Sequence, residues 1–201
     1  MLLREIVSLS LEHLWLVAVA VVAATAIAAP SAVFLVRNAR LRRWTLGVVN
    51  VIQTIPSLAL FGFLLPIPFI GGVGKRTAII ALILYALLPI LRNTVVGILG
   101  VDAGIRESAV AMGMTDRQIL RNVELPLALP TILAGIRTAT VITIGTATIA
   151  AAIGGGGLGE FIFRGIAMAD MKTILAGAVP AAIMAITADE VLEWVERRFS
   201  Y

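Results

Sequence analysis

The 201-residue chain has no cysteine, one histidine and little charge: 14% of its residues are Asp, Glu, Lys or Arg. Without cysteine, disulfides, thiolate chemistry and Cys-ligated metals are excluded. A single His13, near the N-terminus, leaves no ground for a zinc site or a catalytic histidine. Carboxylates are missing from the longest stretches, with no Asp or Glu from Leu14 to Val101 or from Leu125 to Gly159. Proton- and cation-coupled transporters and intramembrane proteases place ionisable groups inside the bundle, so these gaps argue against all three. Nothing points to an enzyme, and no catalytic, cofactor-binding or metal-binding residue is expected in the chain. Period-two alternation is absent as well, which excludes a membrane β-barrel.

What the chain has is apolar length. Sixty per cent of it is hydrophobic and its mean hydropathy is +1.02, well outside the soluble globular range. Runs at about 14–36, 44–65, 77–99, 127–153 and 172–194 each reach the roughly 20 residues a span needs. The expectation is an all-α membrane protein, a single domain over residues 1–201 built as a polytopic bundle of about five transmembrane helices. Pro30, Pro56, Pro89 and Pro180 fall inside these runs, so bent helices with re-satisfied carbonyls are expected. The net charge of +4 belongs to loops that set topology, not to a nucleic-acid surface.

Lys and Arg fall unevenly. Arg37, Arg40, Arg42, Arg43, Arg106, Arg117, Arg121, Arg197 and Arg198 share one side of a five-span chain; Arg4, Lys75, Arg76, Arg164 and Lys172 share the other. The first set is the cytoplasmic one by the positive-inside rule, which puts the N-terminus outside and the C-terminus in the cytoplasm of a multi-pass plasma- or inner-membrane protein. Ala26-Ile27-Ala28 mimics a signal-cleavage site, but Glu5 and Glu12 beside Arg4 spoil the positive n-region, so the first span is read as retained. Arg92 and Arg137, in or near spans, are read as snorkelling to the cytoplasmic interface.

Two glycine-rich motifs are decoys. Gly71 to Thr77 lacks the first Walker glycine, having Phe69 there, and has Arg76 where Ser or Thr belongs. Gly154, Gly156 and Gly159 spell G-x-G-x-x-G after a membrane helix instead of a strand, and read as a tight turn.

The most informative stretch is the loop between spans three and four, at about 100–126. Glu107 to Ala111 reads as a short helix ended by Gly113. Thr115 reads as the N-cap of a second helix carrying Ile119, Leu120 and Val123, which Pro126 and Pro130 close. The expected product is a helix–turn–helix on the cytoplasmic surface with outward apolar side chains, the usual mark of a partner site.

Glu107, Ser108, Ala109, Gly113, Val123, Leu125 and Pro126 resemble the coupling motif of bacterial ABC importer permeases, Glu-Ala-Ala, three residues, Gly, nine residues, Ile, one residue, Leu-Pro, at every spacing. Ser108 for Ala and Val123 for Ile are the departures. Gln53 to Leu60, Tyr85 to Thr94, Ala134 to Thr140 and Ile153 to Gly165 are similar to the branch that imports glycine betaine, carnitine, choline and related osmoprotectants. The resemblance runs from about residue 45 to 170. It implies a type I ABC importer permease fold with a cytoplasmic coupling helix. It also implies a second permease subunit, identical or a sister, two cytosolic ATPase subunits that bind ATP and Mg, and an extracytoplasmic solute-binding protein. Selectivity would then lie largely in the binding protein. A permease for another small solute, such as an amino acid, is the alternative within the class; a secondary transporter subunit or a structural scaffold is the alternative outside it.

For the translocation pathway the polar candidates are Asn50, Gln53, Thr54 and Ser57, at helical spacing in span two, with Asn93 in span three and Thr138, Thr143 and Thr146 in span four. The same residues suit interhelical hydrogen bonding equally well. A pathway without fixed charge would suit a zwitterion.

Overall fold

The computed structural model describes residues 2–199, which are helical apart from short connections, with no strand among them. The elements are α1 (Leu2–Arg37), α2 (Ala39–Thr54), α3 (Ser57–Leu64), α4 (Lys75–Leu99), α5 (Ala103–Ala111), α6 (Asp116–Ile119), α7 (Leu125–Ala150), α8 (Gly159–Ala167) and α9 (Met171–Phe199). A π turn over Leu120–Glu124 joins α6 to α7, and a 3-10 turn over Ala151–Ile153 ends α7.

α4 lies at the centre, packed between α1 and α7, while α9 leans on α7 and α8. Small residues set these approaches. Ala20, Ala24, Ala28 and Ala32 form a buried stripe down α1, one residue every fourth position. In lipid, where the hydrophobic effect does not drive helices together, such stripes let backbones come close enough for dispersion to hold them. Gly135 does the same on α7: a Cβ there would lie 2.6 Å from the Asn93 Cβ and 2.9 Å from the Pro89 carbonyl oxygen. Phe61, Leu82 and Ile144 fill the core above this seam.

The run at 44–65 is not one span-long helix. α2 and α3 meet at 101° across Ile55 and Pro56. Pro56 has no N–H to continue the ladder, and the break is fixed from α4. Tyr85 donates its hydroxyl to the Ile55 carbonyl, a group the break exposes. In return Gln53 Nε2 donates to the Tyr85 carbonyl at 2.7 Å. That carbonyl is free because Pro89, four residues on, lacks the N–H that would have bonded it. Two prolines on different helices are thus satisfied by one reciprocal pair of side chains, as the rule against orphaned backbone groups in lipid requires.

The helix that begins at Asp116 also departs from expectation. Pro126 and Pro130 do not close it; the backbone continues through them to Ala150. The π turn just ahead is the reason. There the Leu125 N–H reaches back to the Leu120 carbonyl, and the wider turn relieves the clash an α-turn would force between the Pro126 ring and the Asn122 carbonyl.

α1 starts twelve residues before its apolar run because its first turns have partners. Glu5 pairs with Arg164 of α8 at 2.8 Å, and Glu12 with Lys75 at the start of α4 at 2.5 Å. The glycine-rich turn after α7 packs onto the same place. Gly157 N–H donates to Glu12 Oε2 at 3.1 Å, and a Cβ on Gly156 would strike that carboxylate at 2.7 Å. Positive φ at Gly154, Gly156 and Gly157 lets the backbone fold this tightly. His13 is buried beside it, donating from Nε2 to the Ile144 carbonyl at 3.1 Å, with Nδ1 unpartnered.

Candidate functional site: the loop between the third and fourth spans

The loop is a helix, a glycine turn and a second helix, held to the bundle by charge. Asp102 caps α5, its Oδ1 accepting from Ile105 N–H at 3.1 Å. The helix therefore begins at Ala103, and Glu107 is its fifth residue. That corrects the reading of Glu107 as a first-turn residue: Asp102 takes the helix end, and Glu107 is presented to the outside instead. Ser108 is likewise exposed and returns its hydroxyl to the Gly104 carbonyl at 2.8 Å. Ala109 is the residue of α5 that is buried, so a small side chain is needed at that position.

Gly113 stands just past the helix end with φ +78°. Its N–H reaches the Val110 carbonyl at 2.9 Å, and the Met114 N–H reaches the Ala109 carbonyl at 3.1 Å. This pair of bonds is a Schellman ending, which needs a left-handed residue at Gly113. The next helix starts at once. Thr115 accepts from Gln118 N–H, while Gln118 Oε1 accepts from Thr115 N–H at 2.8 Å, a capping box. Ile119 is buried, and Val123 and Leu125 are half-buried; Leu125 packs on the cluster of Ile98, Ala128 and Ile132. Pro126 is exposed.

Two ion pairs brace the loop. Arg37 at the end of α1 meets Asp116 at 3.0 Å, and Arg106 meets the buried Glu124 at 3.2 Å. Beside the outward Glu107 and Ser108 stand three exposed apolar side chains, Ile105, Val110 and Met112, the last 73% exposed. These three, and not the Ile119 side of the second helix, form the greasy surface. A rigid, capped helix ending in exposed apolar side chains rimmed by charge has the features that partner sites share.

The pathway candidates separate. Pro56 puts Ser57 on α3, bent away from Asn50, Gln53 and Thr54 on α2, so the four do not share one face. Gln53 is committed to Tyr85. Thr54 folds back on the Val51 carbonyl, Asn93 on Pro89, Thr138 on Ala134 and Thr146 on Ile142. Thr143 is fully buried and bonded to the Ala139 carbonyl at 2.6 Å, so it faces packed helices and no open route. Apart from Gln53, then, the bonded members turn their hydroxyls and amide to carbonyls of their own helices and make no interhelical hydrogen bond. Asn50 stays exposed on α2.

Sequence reasoning missed one cluster. Arg137 does not snorkel. Its guanidinium meets Asp189 at 3.1 Å, Glu193 at 3.4 Å and Glu196 at 3.3 Å, all on α9. The signal was available as the spacing of those three acids, which puts them on one helical face.

Residues 11–201 match the family described as "Binding-protein-dependent transport system inner membrane component". The chain belongs to that family. Among curated relatives it is 50% identical over 187 residues to the carnitine transport permease protein OpuCD of Listeria monocytogenes, covering 92% of this chain and 82% of that one. It is 46% identical over 196 residues to the choline transport system permease protein OpuBB of Bacillus subtilis, covering 98% and 89%. Among solved structures, an inward-facing MetNI methionine ABC transporter superposes with a TM-score of 0.86 at 25% identity, covering all of this chain and 97% of that one. The chain is a multi-pass membrane permease of the ABC importer class, with the all-helical fold of the type I importers.

Proposed function

We propose that this permease carries a small osmoprotectant, a quaternary amine such as glycine betaine, carnitine or choline, across the membrane at the expense of ATP hydrolysed by a separate subunit. The carnitine and choline relatives support the substrate class. The observation that carries the mechanism is the outward apolar surface of Ile105, Val110 and Met112 on a helix stiffened by Asp102 and Gly113. On this reading each of two permease subunits offers α5 to a groove on a cytosolic ATPase. ATP and Mg are held there and not in this chain. A solute-binding protein delivers the cargo at the opposite face.

Orientation is part of the proposal. α5 lies on the side of Arg37, Arg40, Arg42 and Arg43, which the positive-inside rule assigns to the cytoplasm, with the N-terminus outside. Because the chain has no native cysteine, single cysteines can report it. Val73 is 81% exposed and Met112 73%, so both positions are reachable. With an impermeant maleimide added to intact cells, Val73→Cys should label and Met112→Cys should not. The reverse pattern would invert the topology.

The energy source separates this reading from a secondary transporter. The first four apolar runs hold no carboxylate and so offer no relay for protons. In proteoliposomes holding the chain with its ATPase and solute-binding protein, ATP-driven uptake of labelled glycine betaine, carnitine or choline should persist when a protonophore collapses the proton gradient. Uptake that stops with the gradient while ATP is present would favour the secondary transporter.

A further inference from the structure

The two intramembrane arginines have opposite surroundings. Arg137 is ringed by three carboxylates. Arg92, two turns before the end of α4, is exposed and has no ion-pair partner among the described residues. It lines a groove of about 340 Å³ with Leu88 of α4 and with Leu46, Gly47 and Asn50 of α2. Gly47 has open space where a Cβ would stand, so the groove keeps its width there. Asn50, also exposed, offers a neutral donor in the same groove.

A guanidinium within a membrane helix is costly unless something answers it. No carboxylate lies between Leu14 and Val101 or between Leu125 and Gly159, so none comes to it from those spans, in this chain or in a second copy. Of the solutes considered above, betaines and carnitine carry a carboxylate, which a guanidinium fork binds through two parallel hydrogen bonds. Choline carries none. The quaternary ammonium end donates no hydrogen bond and suits the apolar walls of Leu46 and Leu88.

We propose that Arg92, with Asn50 beside it, is the carboxylate-binding point of the translocation route, and that the permease itself prefers carboxylated zwitterions to quaternary amines without a carboxylate. This rests on the permease reading above. The pathway then carries a fixed charge, contrary to the neutral route expected from sequence. It does not trap the solute, because a single contact worth about tenfold in affinity is readily given up.

The test uses the complete complex in proteoliposomes, with ATP-driven uptake of glycine betaine, carnitine and choline below saturation. Arg92→Gln should lower uptake of the two carboxylated solutes about tenfold, the loss of one charge-assisted contact, and leave choline uptake unchanged or raised. Arg92→Lys, which keeps the charge without the fork, should fall between. The rival role for Arg92 is a contact with a net-anionic lipid headgroup, so the series is repeated in zwitterionic phosphatidylcholine alone and with anionic phosphatidylglycerol added. A defect in Arg92→Gln that is the same in both lipids supports the solute site. An equal loss for all three solutes, a defect that vanishes in phosphatidylcholine, no defect at all, or a wild type that carries only choline would overturn it. A wild type with no ATP-driven uptake of any of the three would instead remove the permease reading.

Discussion

Gly113→Val should abolish most of the solute-stimulated ATP hydrolysis of the assembled transporter while the permease keeps its thermal stability in detergent. The position allows a clean reading, since a Cβ on Gly113 would meet nothing within 4 Å. Any effect is therefore conformational and not a clash. At φ +78° a residue with a β-carbon is disfavoured by about 1–2 kcal/mol, and a β-branched one by more. That penalty shifts the equilibrium between native and opened turn roughly tenfold toward the opened one. When the turn opens, the bonds from Gly113 to Val110 and from Met114 to Ala109 are lost together, and α5 is no longer aimed. The effect should be graded. Gly113→Asn should be close to wild type, because asparagine tolerates the left-handed region; alanine should be intermediate and valine worst. The measurements are ATPase co-purification, solute-stimulated hydrolysis and Tm. Normal stimulation in Gly113→Val would remove the coupling role of this loop. Glu107→Lys is a separate probe of the exposed rim: it should weaken ATPase binding through the partner surface alone, since Glu107 does not cap the helix.

Arg137→Gln should loosen α9 from the bundle. That helix packs on α7 and α8 with few buried residues, Gly177 and Ala181, so the charge cluster is a large share of what fixes it. Removing the guanidinium leaves Asp189, Glu193 and Glu196 facing one another with no counter-charge on α7. For a cluster still partly open to water the loss should be about 1–3 kcal/mol, well below that of a fully buried pair, or roughly 5 °C in Tm for a chain of this length. Substitution of the acids in the same background decides the cause. Arg137→Gln combined with Asp189→Asn and Glu193→Gln should regain much of the lost stability if unpaired charge is responsible. A triple variant no more stable than Arg137→Gln would mean that the arginine acts through packing of its stem. Arg137→Lys should lie close to wild type in stability, with fewer simultaneous contacts.

Much of this architecture can be read from composition and spacing, because lipid imposes few solutions. Long apolar runs become helices, and the coupling loop announces itself through Gly113 and Thr115, whose backbone roles are local. For Pro56, the start of α1 and the two arginines, the deciding group lies far away in the chain. For Pro126 and the threonines it is close by but is a backbone geometry that residue type does not announce. Pro56 alone does not distinguish a kink from a 101° break; Tyr85 and Pro89 decide it. Pro126 reads as a stop until the π turn ahead of it is seen. Glu5 and Glu12 look like solvent-side charges and turn out to be the contacts that extend α1 to Leu2. The candidate pathway threonines stand out for polarity, yet each donates its hydroxyl to a carbonyl three or four residues back in its own helix. Arg137 and Arg92 look alike in sequence, and only their neighbours make one a brace and the other an open charge.

The π turn over Leu120–Glu124 also bears on how tolerant this stretch is to changes in length. Such a turn holds one more residue than an α-turn while leaving the helices on either side in nearly the same rotational phase. Losing one residue inside it, with Pro126 replaced so that its ring no longer clashes with an α-turn, would restore an ordinary α-helix and leave the docking face of α5 pointing where it does now. Losing one residue elsewhere between Asp116 and Ala150 would swing that face by roughly 100° about the helix axis. Relatives that differ by a single residue in this region can therefore keep the same azimuth for their cytoplasmic partner only if the difference falls in these five positions.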